Sequence, residues 1–369
     1  MSETFGVGLV GSGFISLTHL QSLRTIPGVE VRAVADVDLD RGQLFAETHG
    51  IPKAVASHRD LLEDPAIRAV VVGVPNCFHH PITMDALRAG RHVICEKPLA
   101  LTLEHAEEMV RTAREKGLVL AYAEELSFVP KFLKAGELMR SGGIGRPYLL
   151  RQCEKHAGPY SPWFWVPEQA GGGILMDMGC HSIECIRFLL GKPRVEWVQA
   201  HMGTYLHREI TVEEDFCLVL MGFEDGTIGQ AESSWALKGG MDSTLEVFGT
   251  EGVIQADLLK GMGLRAFSEK GFPEMWEPNQ GWVFPDFEWL WNNGYPQEDR
   301  HFVECMKTGQ VPMESGEDGL AVLEIMLAAY HSAGIGQRVR LPFRPKGLTV
   351  PPVDLWLHPR PELGAGPIP

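Results

Sequence analysis

Short apolar runs alternate with helical patterns over the first 122 residues of the chain. The apolar runs cover 5–10, 29–35, 69–74, 91–95 and 118–122. Helices are predicted between them over 14–25, 39–49, 81–89 and 102–116, where Thr102 can cap the last helix and Gly117 can end it. Strands that are apolar along their whole length predict a doubly wound parallel sheet of the α/β class, with helices on both faces.

The pattern changes after residue 123. Helices are predicted over 130–140, 174–190 and 318–332, and strands over 147–154, 195–201, 216–223, 227–236 and 243–249. Asp225-Gly226 and Glu251-Gly252 supply turns of the kind that joins neighbouring antiparallel strands. We therefore predict domains at 1–123 and 124–341, the second an α+β domain with a large, mostly antiparallel open sheet, followed by a proline-rich tail at 342–369.

Composition narrows the class of protein. The 369 residues carry a formal net charge of −15, which argues against a nucleic-acid partner because binding a phosphate backbone needs a basic face. Seven dispersed cysteines without a Cys-x-x-Cys pair indicate reduced thiols and no metal site. The start of the chain lacks the basic region of a signal peptide, and no run is apolar enough to span a membrane. We expect a cytoplasmic globular protein.

The first candidate site is a glycine-rich turn between the first strand and the first helix. Gly11 and Gly13 are followed by Ser16, and Asp36 ends the next strand. In this arrangement a helix N-terminus holds a pyrophosphate and the acid accepts hydrogen bonds from a ribose. The charge of Asp36 favours NAD over NADP. The alternative is a tight turn that binds nothing.

Two further motifs can carry proton chemistry. Lys97, in Glu96-Lys97-Pro98, follows a strand, where a partly dehydrated lysine with a lowered pKa could orient or deprotonate a hydroxyl group. Glu96 could hold that lysine or contact a ribose; a surface ion pair is the alternative. Asp177 and His181 are four residues apart on a predicted helix, so the aspartate could orient the imidazole. The alternative is a structural pair in the core.

Aromatic residues cluster in two segments. His156, Tyr160, Trp163 and Trp165 precede the second helix of the C-terminal domain, and they combine polar groups with flat faces that suit a polyol ring. Core packing under a loop is the alternative. Residues 272–295 hold four of the nine tryptophans, which favours an interface or domain packing over sugar stacking.

Taken together, these motifs resemble the Gfo/Idh/MocA family of glucose–fructose oxidoreductase and inositol dehydrogenase. Gly-x-Gly, Pro75-Asn76-x-x-His79, Glu96-Lys97-Pro98, the Gly171–His181 segment and Glu317-Asp318-Gly319 occur in the family's order. The resemblance implies a Rossmann domain, NAD-linked chemistry on a sugar or polyol, and a homodimer or homotetramer formed through the C-terminal sheet. It also implies a cis bond before Pro98.

The resemblance assigns roles by position. Lys97 and His181 would be the catalytic pair with Asp177 beside the substrate, and a larger set would bind cofactor, namely Gly11, Ser12, Gly13, Phe14, Ile15, Asp36, Pro75, Asn76, His79, Glu96, Lys97 and Glu125. Substrate contacts would come from Lys97, His156, Tyr160, Trp163, Trp165, Asp177 and His181. The chain departs from the family's Asn-x-Arg-Phe-x-Pro at 125–130, where Glu124 and Glu125 form an acidic pair.

Three functions follow, in order of preference. The first is an NAD-dependent dehydrogenase of a sugar, sugar derivative or cyclitol, with Lys97 and His181 in proton transfer. The second is a glycosidase that keeps NAD bound and cleaves its substrate by oxidation and elimination without net redox change. In that case the pair Glu124 and Glu125 could supply an acid. The third is a non-catalytic sensor of dinucleotides.

Overall fold

A six-stranded parallel sheet, sheet A, forms the N-terminal part of the molecule. The computed structural model describes residues 4–259, 266–268, 281–283, 289–348 and 351–364. Sheet A has the strand order β3-β2-β1-β4-β5-β6, with strands β1 Phe5–Val10, β2 Val29–Ala35, β3 Lys53–Val55, β4 Ile67–Val72, β5 His92–Glu96 and β6 Leu120–Ala123. Its helices are α1 Phe14–Leu23, α2 Leu39–His49, α3 His58–Leu62, α4 His79–Arg88 and α5 Leu103–Lys116.

The predicted doubly wound sheet is confirmed, and several bounds match the prediction. Helix α2 begins and ends as predicted, and the side chain of Thr102 accepts a hydrogen bond from the backbone N–H of His105 at the start of α5. Gly117 ends α5 in the left-handed conformation. The short elements β3 and α3 were not predicted, because three to five residues carry too little periodicity to be recognised.

The C-terminal part is built on a seven-stranded sheet, sheet B. Its order is β12-β11-β7-β10-β9-β8-β15, and only the β7–β10 pair is parallel. This confirms the mostly antiparallel open sheet. The strands of this part, including a separate pair β13–β14, are β7 Pro147–Lys155, β8 Val195–Gly203, β9 Phe216–Phe223, β10 Ile228–Ser234, β11 Asp242–Gly249, β12 Val253–Asp257, β13 Ala266–Ser268, β14 Gly281–Val283 and β15 Val339–Arg340.

The helices of this part pack on sheet B, on one another and on the N-terminal part. They are α6 Pro130–Arg140, α7 Pro167–Ala170, α8 Cys180–Leu189, α9 Trp289–Asn292, α10 Tyr295–Thr308, α11 Gly316–Ile335 and α12 Asp354–Leu357. The predicted helix 174–190 begins instead with a π turn over Leu175–Gly179, before α8. Gly319 of α11 packs so closely that a Cβ atom would lie 2.8 Å from the Tyr122 ring.

Helix α10 was missed by the sequence analysis, although it packs on the N-terminal part. Phe302, Val303 and Met306 belong to the same buried cluster as Phe5 and Val7 of β1. The domain boundary at residue 123 stays a prediction. Helix α10 follows that boundary in the chain but packs on the part that precedes it. The proline-rich tail also contacts the rest of the molecule, since the backbone N–H of Val353 donates a hydrogen bond to the carbonyl of Gly171.

The remaining expectations concern membranes, cysteines and the tryptophan-rich segment. No helix in the described parts of the chain is long and apolar enough to cross a membrane. All seven cysteines are free thiols. Most of residues 272–295 lie outside the described residues. Within the described part, the Trp289 ring packs 5.7 Å from that of Phe14, at the start of α1.

Candidate active site

The candidate site lies at the carboxyl ends of the strands of sheet A, where ligands of open parallel sheets bind. The Gly11–Gly13 turn follows β1, Asp36 follows β2, Lys97 follows β5 and Glu124 follows β6. The π turn before α8 approaches this edge from the second part of the chain, because Lys97 bonds to Asp177. Residues from five separate segments therefore meet in one place.

The glycine-rich turn fits a dinucleotide. Gly11 has φ +101°, and a Cβ atom there would lie 2.2 Å from the carbonyl of Gly73, so only glycine is accommodated. A Cβ at Gly13 would face open space, and α1 has no side-chain cap at its N-terminus. The turn therefore leaves room for a phosphate beside the N-terminus of α1. Ser16 is fully buried beside Gly11 and Gly73, where its small side chain allows α1 to pack closely against the turn.

Asp36 is held at the end of β2 in its charged form. Its carboxylate accepts hydrogen bonds from the backbone N–H of Ser12 at 3.0 Å and from Arg41 at 2.8 Å. Burial would raise the pKa of Asp36, but Arg41 and Ser12 outweigh it and lower that pKa. A carboxylate at this position suits the hydroxyl groups of an adenosine ribose.

Lys97 is paired with Asp177. Its Nζ donates to the backbone carbonyl of Asp177 at 2.7 Å and to Oδ1 at 3.1 Å. Burial disfavours the charged amine, but the carboxylate of Asp177 outweighs it and raises the pKa of Lys97. The expected lowering of this pKa was wrong, so Lys97 is an ammonium ion and not a base. The peptide bond before Pro98 is cis, as the resemblance implied.

Asp177 does not orient His181, contrary to the prediction from their spacing. Its Oδ2 accepts hydrogen bonds from Trp235 Nε1 at 2.9 Å and from His156 Nε2 at 3.2 Å. The shared helix face does not make them partners, because both carboxylate oxygens of Asp177 are bonded to Lys97, Trp235 and His156. Burial would raise the pKa of Asp177, but the charge of Lys97 keeps it well below its usual range. Sequence analysis missed Trp235, which belongs to no motif.

His181 is paired with a glutamate from another segment. Its Nδ1 lies 2.7 Å from Oε1 of Glu124 and 3.6 Å from Oε2 of Glu125. Among the described residues, no group forms a hydrogen bond with Nε2. Burial lowers the pKa of His181, and the charge of Lys97 acts in the same direction. His181 is therefore a neutral imidazole at neutral pH, able to exchange a proton.

Glu96 does not hold the amine of Lys97. Its Oε1 lies 2.9 Å from Nε2 of His19, and Nδ1 of His19 lies 2.9 Å from Oδ1 of Asp299. Burial opposes the charge on His19, but the two carboxylates raise its pKa well above the usual value. A buried imidazolium ion thus joins α1, β5 and α10. No local pattern could have revealed a pair 280 residues apart in the chain.

The Pro75–His79 segment differs in part from expectation. His79 is fully buried, with its ring nitrogens 2.7 Å from the carbonyl of Pro98 and 2.9 Å from that of Val74. It braces two loops with these contacts, which the sequence did not indicate, and its contact with a ribose stays a prediction. Asn76 donates to the carbonyl of Ala170 at 2.8 Å, which leaves its own side-chain oxygen available.

The predicted aromatic contacts form a cluster beside Asp177. The ring of Tyr160 is stacked on that of His156 at 5.5 Å, and Tyr160 is 69% exposed. Trp165 packs against Trp235 at 5.2 Å, while Trp163 is stacked on Phe164 at 3.8 Å. The cluster therefore combines an exposed face at Tyr160 with half-buried rings behind it.

A buried carboxyl group behind the site gives a test of stability against pH. Burial raises the pKa of Glu154 to about 8, while Gln152 and Ser243 donate hydrogen bonds to its Oε1. A folded-state pKa above the unfolded value of about 4.3 stabilises the fold at low pH, and this contribution is lost as pH rises through 8. We expect Glu154→Gln to reduce the loss of unfolding free energy between about pH 5 and 9.

Urea unfolding at several pH values measures this effect. Glu251→Gln, at an exposed turn, is the matched control and should leave the pH dependence unchanged. A Glu154→Gln protein whose stability falls with pH as steeply as that of the wild type would contradict the assignment.

Comparison with known proteins agrees with this architecture. The family described as "Oxidoreductase family, NAD-binding Rossmann fold" matches residues 5–124. The GFO/IDH/MocA C-terminal domain matches residues 132–255. Together the two matches cover most of both sheets.

Individual relatives align over most of the chain. Myo-inositol 2-dehydrogenase of Thermotoga maritima is 29% identical over 91% of this chain and 98% of its own length. The 1,5-anhydro-D-fructose reductase of Ensifer adhaerens is 34% identical over 66% of this chain and 73% of its own. The crystal structure of GenD2 from gentamicin A biosynthesis, in complex with NAD, superimposes with a TM-score of 0.88 at 38% identity, covering 92% of this chain and 97% of that one. The chain belongs to the GFO/IDH/MocA family of oxidoreductases, with an NAD-binding Rossmann domain.

Proposed function

We propose that the protein is an NAD-dependent dehydrogenase that transfers hydride between a CH–OH group of a sugar, sugar derivative or cyclitol and the nicotinamide. The observation that carries this proposal is the placement of Lys97, bonded to Asp177, and His181, bonded to Glu124, together at the ligand edge of sheet A. The names of the relatives, an inositol dehydrogenase and an anhydrofructose reductase, support a polyol substrate. When bound, NAD supplies the hydride acceptor.

Lys97 stabilises the negative charge that develops on the substrate oxygen. Its ammonium group is fixed by two hydrogen bonds from Nζ to Asp177. A preorganised cation in a buried site needs no reorganisation during the reaction, so its charge is already in place when an alkoxide forms. Asp177 is thus a positioning residue for Lys97, and its orientation is fixed in turn by Trp235 and His156.

His181 exchanges the hydroxyl proton. Its imidazole is neutral and Nδ1 is taken by Glu124, so Nε2 is the atom that accepts the proton during oxidation and returns it during reduction. The aromatic cluster of His156, Tyr160, Trp163 and Trp165 offers ring faces on which the C–H surface of a polyol can lie.

The cofactor would be held along the turn after β1 and the end of β2. The backbone of Gly11, Ser12, Gly13, Phe14 and Ile15 would hold the pyrophosphate, and Asp36 the adenosine ribose. Pro75, Asn76, Glu96 and Glu125 would surround the nicotinamide ribose. The free Cβ side of Gly13 and the charged state of Asp36 support this placement.

The preference for NAD over NADP can be reversed at one residue. In Asp36→Ala, the repulsion of a 2′-phosphate disappears and Arg41 is released to pair with it. We expect the ratio of kcat/KM for NADP to that for NAD to rise at least about tenfold, equivalent to 1.4 kcal/mol. Asp38→Asn, at the exposed cap of α2, is the control and should leave the ratio unchanged. An unchanged ratio in Asp36→Ala would place the ribose elsewhere.

The test of function is nicotinamide absorbance while the purified protein and NAD are mixed with cyclitols, free sugars and glycosides in turn. Steady accumulation of NADH with one class supports the dehydrogenase and identifies the substrate class. A flat trace, with glycoside cleaved and NAD recovered from the denatured protein, contradicts it in favour of redox-neutral cleavage. In that case the buried acids Glu124 and Glu125 would be available to protonate a leaving group.

We also propose a homodimer or homotetramer formed through sheet B. Along β9, Phe216, Leu218 and Leu220 alternate with buried residues and keep partial exposure. Such an apolar sheet face suits a second copy of the chain. Light scattering coupled to size exclusion gives the mass, and a monomer would contradict the proposal.

A further inference from the structure

A buried glutamate lies directly behind the imidazole of His181. Glu124 comes at the end of β6, and its Oε1 is 2.7 Å from Nδ1 of His181. Its side chain has no solvent exposure, and Oε2 has no hydrogen-bond partner among the described residues. Asp177, which the spacing predicted as the partner, is committed to Lys97, Trp235 and His156.

We propose that Glu124 is the proton partner of His181: it accepts the Nδ1 proton as Nε2 takes the proton of the substrate hydroxyl. The inference rests on the proposed dehydrogenase function. Before reaction, Nδ1–H donates to the Glu124 carboxylate and Nε2 has a free lone pair. During oxidation the substrate O–H bond breaks and Nε2–H forms, while Nδ1–H breaks and a Glu124 O–H bond forms. The hydride leaves with the nicotinamide, and reduction runs the same steps backwards.

The charge of Lys97 explains why the site needs such a partner. An imidazolium ion at His181 would be a second cation in a buried site, close enough to Lys97 for that charge to lower the pKa of the ring. Transfer of the Nδ1 proton to Glu124 leaves both the imidazole and the acid neutral. Burial, together with the negative charge of Glu184, raises the pKa of Glu124 well above its usual value, so its carboxylate is a stronger base for the Nδ1 proton than an exposed glutamate would be.

Glu125 is a poorer candidate for the same role. Its nearest carboxylate oxygen lies 3.6 Å from Nδ1, beyond the range of a hydrogen bond. The hydroxyl of Tyr295 also lies beside Glu125. Glu124 is thus the acid placed for proton transfer, and it acts on the substrate only through His181, which makes it a positioning residue.

Glu124→Gln separates proton acceptance from orientation, because the amide can bond to Nδ1 but cannot take up a proton. We expect kcat to fall by about 10²-fold or more with KM changed less than about threefold, since general base catalysis contributes this much. Glu124→Asp keeps a carboxylate and should recover at least part of the loss. Glu154→Gln, another buried acid, is the control and should keep the wild-type kcat and pH profile.

A second readout needs no substrate and is independent of the proposed function. In ¹⁵N-histidine-labelled protein, with the signal assigned through His181→Gln, the protonation midpoint of His181 should fall by at least about one pH unit in Glu124→Gln. The inference is overturned if that midpoint is unchanged, or if Glu124→Gln keeps wild-type kcat. If the midpoint shifts in Glu124→Gln but the wild-type protein oxidises no polyol, the proposed function alone is overturned.

Discussion

Lys97→Ala is expected to lower kcat by about 10²- to 10³-fold, the loss seen when one preorganised donor to a developing oxyanion is removed. The ammonium group, fixed by Asp177, supplies the positive charge at the reacting oxygen. Its removal also leaves Asp177 as a buried carboxylate without a cation, which adds repulsion toward an alkoxide. Stopped-flow measurement of NADH formation at saturating substrate separates the chemical step from binding.

Chemical rescue makes this test specific for charge. Ethylammonium, diffusing into the space left by Lys97, should restore part of the activity, whereas neutral ethanol should not. Because the raised pKa of Lys97 keeps it charged, the wild-type pH profile should show no limb from this residue between about pH 6 and 10. Lys155→Ala, which removes a lysine paired with Glu232, is the matched control. Full turnover in Lys97→Ala would exclude the assigned role.

His19→Leu is expected to destabilise the fold by about 3–5 kcal/mol, which is the cost of removing one partner of a buried ion pair and leaving the other charged. The buried imidazolium is held between Glu96 and Asp299, and none of the three side chains is more than 8% exposed. Without it, two carboxylates from β5 and α10 face each other with no cation between them. Urea unfolding measures the change.

Two variants control for the loss of a histidine and of the charge balance. His58→Leu removes a histidine paired with Asp85 at 2.9 Å near the surface, and it should cost no more than about 1 kcal/mol. The triple variant His19→Leu, Glu96→Gln, Asp299→Asn removes the charges together and should recover part of the stability. A His19→Leu protein as stable as the wild type would show that the imidazolium does not join α1 to α10.

Local periodicity predicted most of the fold because the information is local. Helix α6 matches its predicted bounds, as does β9, since each shows the repeat of its own class. Helix α10 was missed because its first turns contain Pro296, Glu298 and Asp299, which indicate a surface loop. In the structure all three are buried. Their burial depends on α1, which lies almost 280 residues earlier in the chain.

The sequence by itself determined the family, the two-sheet architecture and the candidate residues of the site, because motifs such as Glu96-Lys97-Pro98 and Asp177-x-x-x-His181 are readable without coordinates. Only the tertiary structure decided which of them pair and in which charge state. Lys97 is an ammonium ion because Asp177 reaches it, and His181 is neutral because it is buried and close to the charge of Lys97. A pKa in a buried site depends on charges within a few ångströms. Those neighbours come from distant segments, so spacing along the chain cannot identify them.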